Sequence, residues 1–393
     1  MITIKTLNSI SPVYADVLPA DRYDVTADAE HADAIIVRSA DMHAYPLDAD
    51  TLCVARAGAG YNNIPVDDYA VRGVVAFNTP GANANAVKEL AIAGMLLSSR
   101  KVVEAINWCG TIKDKGDAVE ALVEKGKNQF VGPELAGKTL GVIGLGAVGR
   151  LVANTSVALD MDVLGHDPFI SVDNAWLLSR AVKHSTNLDE MLAECDYLSV
   201  HIPLTGKTKH MFNAELIAKM KPSAVLMNFS RGGLVDNAAV KDALAAGKLR
   251  AYVTDFPTAD LIGVEGVICI PHLGASTPES EDNCVIMASR QIKRYLECGS
   301  IENSVNYPDC PLGPVTEPRL LILHKNIPNV LQTVLKLVTE SEENLNIDNM
   351  TNKSRGAYAV TVLDFNHKPS DALVERIASL LTTYRVRLFS EGV

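Results

Sequence analysis

The chain contains 393 residues, of which 48% are hydrophobic, and carries a formal net charge of −11 at pH 7. That length suffices for two or three domains with their own cores, and the acidic balance argues against a broad nucleic-acid-binding face. Basic residues within this acidic chain therefore become candidates for contact with an anionic substrate.

The seven cysteines are scattered, odd in number and without a C-x-x-C pair, so the sequence indicates neither a disulfide framework nor a zinc site. The first residues lack the basic and apolar pattern of a signal peptide, and no stretch of about 18 uncharged apolar residues occurs. We expect a soluble cytoplasmic protein with reduced thiols that binds no metal, membrane or nucleic acid.

Short apolar strands alternate with a helix in the first part of the chain. The predicted strands are Ile2 to Leu7, Ala34 to Arg38, Leu52 to Arg56 and Val74 to Phe77, and residues 66–72 form a helix that Gly73 ends. This alternation predicts a parallel α/β layer. A nearly continuous apolar pattern from Asn83 to about Trp108 then predicts one long helix buried on several sides. The polar segment 110–130 predicts a solvated helix and loop.

A glycine-rich turn follows the predicted buried strand at residues 139–143. Gly144 permits the tight turn, Gly146 lets the backbone approach a pyrophosphate, and Gly149 lets the next helix pack against the sheet. Backbone N–H groups at the start of that helix can hold the phosphates. The segment therefore predicts a dinucleotide-binding fold.

Asp167 ends the next predicted strand, 18 positions after Gly149. This is close to the spacing at which a carboxylate accepts hydrogen bonds from the adenosine ribose. Asp167 is followed by Pro168 and has no arginine beside it, which favours NAD over NADP. The alternative interpretation is a chance glycine turn followed by an Asp-Pro loop.

Strands and helices continue to alternate after Asp167, in an arrangement of the size of two mononucleotide-binding halves. The predicted strands are 181–185, 197–202, 224–229, 251–255 and 267–270, and the predicted helices are 188–195, 213–220, 237–246 and 278–298. The sequence thus predicts a doubly wound parallel sheet.

Three residues of complementary chemistry follow the last strands. Arg231, Asp260 and His272 come after three successive strands, whose carboxyl ends share one edge of such a sheet. An arginine can bind a substrate carboxylate in bidentate fashion, and a histidine can take the hydroxyl proton as a hydride leaves. A carboxylate bonded to the far imidazole nitrogen can orient the ring and favour its protonated form. The trio predicts reversible oxidation of a 2-hydroxy acid.

Each of the three also has a structural alternative. Arg231 could pair only with Asp236, His272 could merely end a strand after Pro271, and Asp260 could be a solvated loop acid. Their joint occurrence at successive strand ends favours the catalytic interpretation.

The C-terminal part follows a different pattern. After the proline-containing linker 307–318, residues 319–389 read strand, helix, strand, strand, helix, strand. This βαββαβ order is that of a ferredoxin-like unit.

Several motifs together resemble those of the D-isomer-specific 2-hydroxyacid dehydrogenases. They are IIVRS at 35–39, AGAGYNNI at 57–64, FNTPGANANAVKEL at 77–90, GLGAVG at 144–149, HIPLT at 201–205, NFSRGGLVD at 228–236, DFPTAD at 255–260 and PHLGASTPE at 271–279. The resemblance implies a Rossmann-type NAD-binding domain at 101–287, inserted in a flavodoxin-like substrate domain formed by 1–100 and 288–310. A ferredoxin-like ACT domain is implied at 318–393.

The resemblance also implies the roles of site residues. Arg231 and His272 are expected to be catalytic, and Asp260 occupies the acid position, where the family usually has Glu, with Glu265 as an outside candidate. Asp255 is expected to accept a hydrogen bond from the nicotinamide carboxamide. The other residues expected to line the cofactor cleft are Gly144, Gly146, Ala147, Val148, Gly149, Asp167, His201, Pro203, Thr208, Asn228, Gly274 and Ala275.

The same resemblance places the substrate phosphate near Arg38 and Ser39, with Gly60 and Asn83 near the carboxylate and carbonyl. A structural ion pair is the alternative role for Arg38. Lys88 either contributes a charge or pairs with an acid on its own helix.

The implied activity is NAD-dependent oxidation of 3-phospho-D-glycerate to 3-phosphohydroxypyruvate, the entry to serine synthesis, in a homodimer or homotetramer. Another D-2-hydroxy acid, such as glycerate or glyoxylate, is the close alternative, and an NAD-sensing binding protein is the alternative from another class. In the tail, His324, Asn326 and Pro328 match a serine-binding loop, whereas Asn329 stands where a glycine is usual. A purely oligomerising tail is the alternative there.

Overall fold

The computed structural model describes residues 1–390, and this part of the chain divides into two compact units. Unit 1 joins Met1–Ala82 to the segment from Glu281 onward, and unit 2 is Asn83–Ser280. Both units contain the alternating strands and helices that the sequence predicts. The last three residues of the predicted C-terminal domain, 391–393, lie outside the described residues.

Unit 1 begins with a five-stranded parallel sheet of order β2-β1-β3-β4-β5, the flavodoxin-like order that the resemblance implies. Its elements are β1 (Ile2–Leu7), a 3₁₀ helix (Pro12–Asp16), β2 (Tyr23–Thr26), β3 (Ala34–Val37), β4 (Cys53–Arg56), α1 (Val66–Val71) and β5 (Val75–Phe77). The sequence analysis missed β2, because this short edge strand is only partly buried and lacks an apolar run.

Unit 2 contains a seven-stranded parallel sheet of order β12-β11-β10-β9-β6-β7-β8. Strand order reverses between β6 and β9, which is the switch point of a doubly wound Rossmann sheet, as predicted. The elements are α2 (Ala84–Ser99), α3 (Val102–Thr111), α4 (Val119–Gly126), β6 (Thr139–Ile143), α5 (Ala147–Ala158), β7 (Asp162–His166), α6 (Val172–Trp176), β8 (Lys183–His184), α7 (Leu188–Glu194), β9 (Tyr197–Val200), α8 (Ala214–Ile217), β10 (Val225–Asn228), α9 (Asn237–Ala245), β11 (Ala251–Thr254) and β12 (Val267–Cys269), with 3₁₀ turns at Lys113–Ala118, Lys127–Phe130 and Gly232–Leu234.

The single long helix predicted from Asn83 to Trp108 is two helices, α2 and α3. Arg100 between them is extended, with φ −120° and ψ 115°. The hydroxyl of Ser99 donates to the Met95 carbonyl at 2.8 Å, a local side-chain bond that competes with helix propagation. The spacing of apolar residues gives no sign of this local hydrogen bond, and the two helices were therefore predicted as one.

The boundary of unit 2 also differs from the predicted start of the NAD-binding domain at residue 101. Helix α2 buries Ala91 and Met95 among the apolar side chains of the unit 2 sheet. Gly94 lies so close to Phe229 and Val253 that any added Cβ would crowd the Phe229 ring. Because this face of α2 packs on the sheet of unit 2, the helix belongs to that unit.

Helix α10 (Pro278–Cys298) carries the chain from the end of unit 2 into unit 1. Its apolar residues recur every three or four positions, so Ala288, Ile292 and Tyr295 share one face and are fully buried in the core of unit 1. The Tyr295 ring meets the Phe77 ring edge-on, with centroids 5.9 Å apart. Helix α10 is therefore a central packing element of unit 1.

The C-terminal segment forms a four-stranded antiparallel sheet of order β14-β15-β13-β16, the ferredoxin-like arrangement predicted from the βαββαβ pattern. Alternation along β13 divides its side chains between two cores: Leu320 and Ile322 face the helices, whereas Leu321 and Leu323 join the core around α10. The elements are β13 (Arg319–Lys325), α11 (Val330–Thr339), β14 (Ile347–Arg355), β15 (Tyr358–Phe365), α12 (Asp371–Ala378) and β16 (Thr383–Phe389).

Two general features of residues 1–390 bear on function. None of the helices in this range is both long enough and apolar enough to span a bilayer, and no group of three metal-ligating side chains is assembled. All seven cysteines are unpaired thiols, and five of them are buried.

Candidate active site

The glycine loop at the switch point has the geometry expected of a dinucleotide-binding turn. Gly144 has φ +86°, and a Cβ there would collide with the carbonyl oxygen of His201. A Cβ at Gly149 would overlap the Gly144 carbonyl oxygen, so only glycine allows α5 to start so close to the turn. Gly146 caps α5, and a Cβ there would meet no heavy atom within 4 Å. The N–H groups of Ala147 and Val148 follow directly in the first turn of α5.

Asp167 lies beside this loop at the end of β7. Its Oδ2 accepts a hydrogen bond of 2.8 Å from the Leu145 N–H, and Oδ1 accepts one of 2.9 Å from the Phe169 N–H. Both bonds come from backbone donors, so they fix the position of the carboxylate next to the turn. The position suits a diol such as that of a ribose.

The segment after β9 forms the opposite wall of the switch point. His201 is held by the bond from its N–H to the Ile143 carbonyl at 2.8 Å, and its Nε2 lies 2.8 Å from the Ser199 hydroxyl. Burial lowers the pKa of His201 to about 4, so the ring is neutral at physiological pH. Further on, the Thr208 hydroxyl donates to the Pro203 carbonyl at 2.7 Å and closes a tight exposed loop.

Arg231 follows β10 on a backbone that Asn228 organises. The buried Asn228 side chain accepts from the Ser230 N–H at 3.1 Å and donates to the Arg231 carbonyl at 2.9 Å. The Arg231 side chain is exposed, and within residues 1–390 no carboxylate forms an ion pair with it. The alternative pairing with Asp236 is not made, because Asp236 caps α9 by accepting from the Ala238 N–H at 3.0 Å. The guanidinium remains available to a ligand.

Asp255 is a buried carboxylate at the end of β11. Its Oδ2 accepts from the Gly274 N–H at 3.3 Å, whereas Oδ1 has no hydrogen-bond partner anywhere in the described chain. Burial raises the pKa of Asp255, and the charges of His272 and Arg231 partly oppose that shift. A buried acceptor without a donor is unfavourable, and a donor from a ligand would satisfy it.

His272 follows β12, the neighbour of β11, and lines a cleft of about 840 Å³ together with Asp255. The imidazole packs against the Phe256 ring, with centroids 4.8 Å apart and an angle of 49° between the planes. His210, which the sequence analysis did not single out, also lines this cleft. Its loop precedes the predicted helix at 213, and no local sequence pattern marks it as part of a site.

Asp260 does not make the expected contact with His272. Its Oδ2 lies 3.0 Å from Lys241 Nζ, and its Oδ1 lies 3.5 Å from Asn237 Nδ2. Hydrogen bonds from Thr258 and Lys241 lower the pKa of Asp260 to about 2. The shorter acid therefore pairs with a cation of α9 in an exposed loop. Glu265 is exposed as well and forms no ion pair within the described residues.

The candidate substrate groups of unit 1 form a separate cluster at the carboxyl ends of β3 and β4. Arg38 donates from Nη2 to Glu281 Oε1 at 2.6 Å, which is the ion pair considered as its alternative role. Arg56, paired in register with Val37, donates from Nε to the Arg38 carbonyl at 3.0 Å and from Nη1 to the Gly60 carbonyl at 2.5 Å. The Ser39 N–H donates to Asn8 Oδ1 at 3.0 Å.

Arg56 is a second arginine of this cluster that the sequence analysis missed. The signal was present in the sequence, because Arg56 ends a predicted strand next to the strand that ends at Arg38, and the carboxyl ends of neighbouring parallel strands are adjacent. Gly60, in the glycine-rich motif that follows Arg56, was predicted to contact the substrate instead.

Two further candidates lie at the start of α2 in unit 2. Asn83 occupies the N-cap position, with no side-chain capping bond. Lys88 Nζ lies 3.6 Å from the Glu89 carboxylate, so Lys88 pairs with an acid of its own helix, as in the second of its two interpretations.

The candidate effector residues of the tail make hydrogen bonds within their own sheet. His324 is buried, with Nε2 2.8 Å from the Thr361 hydroxyl and Nδ1 2.8 Å from the Lys325 carbonyl. Asn326 Nδ2 donates to the Gly356 carbonyl at 2.8 Å. Asn329 has φ +69°, a left-handed conformation that glycine and asparagine adopt more readily than other residues.

The sequence and the fold are similar to those of known dehydrogenases. Residues 92–274 match the family described as D-isomer specific 2-hydroxyacid dehydrogenase, NAD binding domain. The D-3-phosphoglycerate dehydrogenase of Methanocaldococcus jannaschii is 34% identical over 292 residues, which are 72% of this chain and 53% of that protein. The protein of the same name from Haemophilus influenzae is 31% identical over 345 residues, which are 84% of this chain and 79% of that one.

Among solved structures, the NAD⁺-bound 3-phosphoglycerate dehydrogenase of Entamoeba histolytica matches with a TM-score of 0.58 and 26% identity, over 78% of this chain and 98% of that chain. The chain spans about half the length of several of the curated relatives that it matches, such as those of Methanocaldococcus jannaschii and Mycobacterium leprae, at 53% each.

Proposed function

This chain belongs to the D-isomer specific 2-hydroxyacid dehydrogenase family, and on that premise we propose that it oxidises 3-phospho-D-glycerate to 3-phosphohydroxypyruvate with NAD as cofactor. The observation that carries the proposal is the convergence of Arg231, Asp255 and His272 at the ends of the neighbouring strands β10, β11 and β12. An arginine, a buried acceptor and a histidine are the groups that hydride transfer from a 2-hydroxy acid requires.

The glycine loop and two carboxylates fit NAD. Gly146 and the first N–H groups of α5 would face the pyrophosphate, Asp167 would accept from the adenosine ribose, and the unpartnered Oδ1 of Asp255 would accept from the carboxamide. Bound NAD supplies the hydride acceptor. A carboxylate at this position, followed by Pro168 and with no arginine beside it, favours the free 2′-hydroxyl of NAD over a 2′-phosphate.

Arg231 and His272 are assigned substrate binding and proton transfer, respectively. Arg231 binds the substrate carboxylate, since its guanidinium is exposed and without an ion pair in residues 1–390. His272 accepts the hydroxyl proton during oxidation and returns it to the carbonyl oxygen during reduction. Phe256 supports one face of the imidazole and limits its rotation.

The phosphate is assigned to the two arginines of unit 1. Arg38 and Arg56 leave adjacent strand ends, and the Gly60 loop follows immediately after Arg56. Guanidinium groups suit phosphate because they offer several donors in one plane.

The test is the initial rate of NADH formation at alkaline pH with 3-phospho-D-glycerate, D-glycerate, D-lactate and D-2-hydroxyglutarate. Turnover largely confined to the phosphorylated substrate supports the proposal. Turnover only with an unphosphorylated acid would assign a different D-2-hydroxy acid. Bound NAD without any turnover would favour the NAD-sensing interpretation.

The C-terminal sheet is proposed as an oligomerising and effector-binding element that responds to an amino acid such as serine, in a cytoplasmic homodimer or homotetramer. The ferredoxin-like order of the sheet supports this role, and the free thiols of the described chain suit a reducing compartment. Titration of the rate with L-serine, together with sedimentation equilibrium, tests both parts. An unchanged rate with a stable oligomer would assign oligomerisation alone.

A further inference from the structure

Glu281 forms an ion pair with Arg38, which is one of the two arginines assigned to the substrate phosphate. The Arg38 Nη2 to Glu281 Oε1 distance is 2.6 Å, and both side chains are about two-fifths exposed, at 38% and 42%. An ion pair that solvent reaches contributes little to stability, at most about 1 kcal/mol. An incoming phosphate can therefore displace the carboxylate from Arg38.

The neighbours of this pair show that it belongs to one charged cluster within unit 1. Cys284 follows Glu281 by three residues on α10, so the two lie on one side of the helix, and Cys284 is buried. Burial raises the pKa of the Cys284 thiol, the charges of Arg38 and Arg56 act to lower it, and that of Glu281 acts to raise it. The Nε of Arg56 also donates to the Arg38 carbonyl at 3.0 Å, so this group contains two guanidinium groups and the Glu281 carboxylate.

We propose that Glu281 is a specificity-determining residue that competes with the substrate phosphate for Arg38 and so weakens the preference for phosphorylated over unphosphorylated 2-hydroxy acids. This inference rests on the proposed function. A phosphate must take Arg38 from Glu281 and then lie near its negative charge, whereas an unphosphorylated acid leaves the pair intact. The competition acts on ground-state binding of the phosphate, so it affects KM and not the chemical step.

The experiment compares kcat/KM for 3-phospho-D-glycerate and for D-glycerate in the wild-type protein and in Glu281→Gln. The neutral amide has nearly the same shape but no charge. We expect KM for the phosphorylated substrate to fall about two- to fivefold with kcat unchanged, and the values for D-glycerate to stay the same. The gain shrinks as ionic strength rises, because the effect is electrostatic between partly exposed groups.

Two controls separate this effect from a general change of charge. Glu279→Gln removes the same charge from an exposed residue two positions earlier in α10, and we expect it to leave the ratio of the two kcat/KM values unchanged. In an Arg38→Ala background, Glu281→Gln has a smaller effect on KM, since the competition for Arg38 is absent and only the repulsion between Glu281 and the phosphate remains.

An unchanged or weaker preference in Glu281→Gln, with the wild-type protein active on 3-phospho-D-glycerate, would overturn the role of Glu281 alone. A wild-type protein that turns over no phosphorylated acid would instead overturn the proposed function, and this inference with it. The two failures are therefore distinguishable in the same set of assays.

Discussion

The N–H of Gly274 donates to Asp255 Oδ2 at 3.3 Å and so links the end of β11 to the loop that carries His272. The same carboxylate keeps its other oxygen buried and without a donor in the described residues. One oxygen of Asp255 thus links two loops, whereas the other is a buried acceptor without a donor in the described residues. A buried acceptor without a donor lowers the stability of the folded protein.

Replacement of Asp255 by Asn should stabilise the ligand-free protein at neutral pH and weaken the binding of NAD. An acid whose folded-state pKa is raised contributes stability below its unfolded pKa, and that stability is lost as pH rises through the folded pKa. The amide avoids this loss but is a poorer acceptor for a carboxamide, so we expect NAD affinity to fall about tenfold. Thermal unfolding at pH 5 and pH 8 and NAD titration by fluorescence measure both effects. Lower stability of the variant at pH 8 would contradict this assignment.

Replacement of Asp260 by Asn should change turnover by less than about threefold, because the carboxylate bonds to Lys241 and not to His272. His272→Asn provides the reference and should reduce kcat by about 10²-fold or more while leaving NAD affinity nearly intact. Steady-state rates of the two variants under saturating NAD make the comparison. A loss in Asp260→Asn as large as that in His272→Asn would mean that Asp260 reaches the imidazole during catalysis.

Replacement of Arg231 by Ala should reduce kcat/KM by about 10²-fold, since a bidentate bond to the substrate carboxylate is lost. The free energy of unfolding should change by less than about 0.5 kcal/mol, because the guanidinium is exposed and, within residues 1–390, donates only to the carbonyl of its own neighbour, Ser230. Urea unfolding alongside the kinetic assay distinguishes the two roles. Large destabilisation would indicate that Arg231 is structural.

His201 should make the protein sensitive to mild acid. Its pKa is about 4 in the folded protein and about 6.5 in an unfolded chain, so below pH 6.5 the unfolded chain binds a proton that the folded protein excludes. Stability is fully present above pH 6.5 and falls as pH drops towards 4, by about 2 to 3 kcal/mol at pH 4.5. His201→Gln should lose less free energy of unfolding between pH 7.5 and 4.5, as measured in urea. The exposed His184→Gln should behave like the wild-type protein; equal losses in all three proteins would exclude the effect.

The glycine turn, the order of strands and helices and the strand ends that carry Arg231 and His272 were predictable from the amino-acid sequence alone. These follow from local rules: a positive φ at Gly144 requires glycine, and parallel strands place their carboxyl ends at one edge. The ferredoxin-like tail was predictable for the same reason, because its pattern of elements is short-range.

Which charged groups form ion pairs is known only from the tertiary structure. Lys241 pairs with Asp260. Glu281 pairs with Arg38, although 243 positions separate Glu281 from Arg38 in the chain. Ion pairs between flexible side chains depend on distances of a few ångströms between distant elements, and no local pattern encodes those distances. The division of helices α2 and α3, and the two cores shared by β13, likewise arise from packing that forms only when the chain is folded.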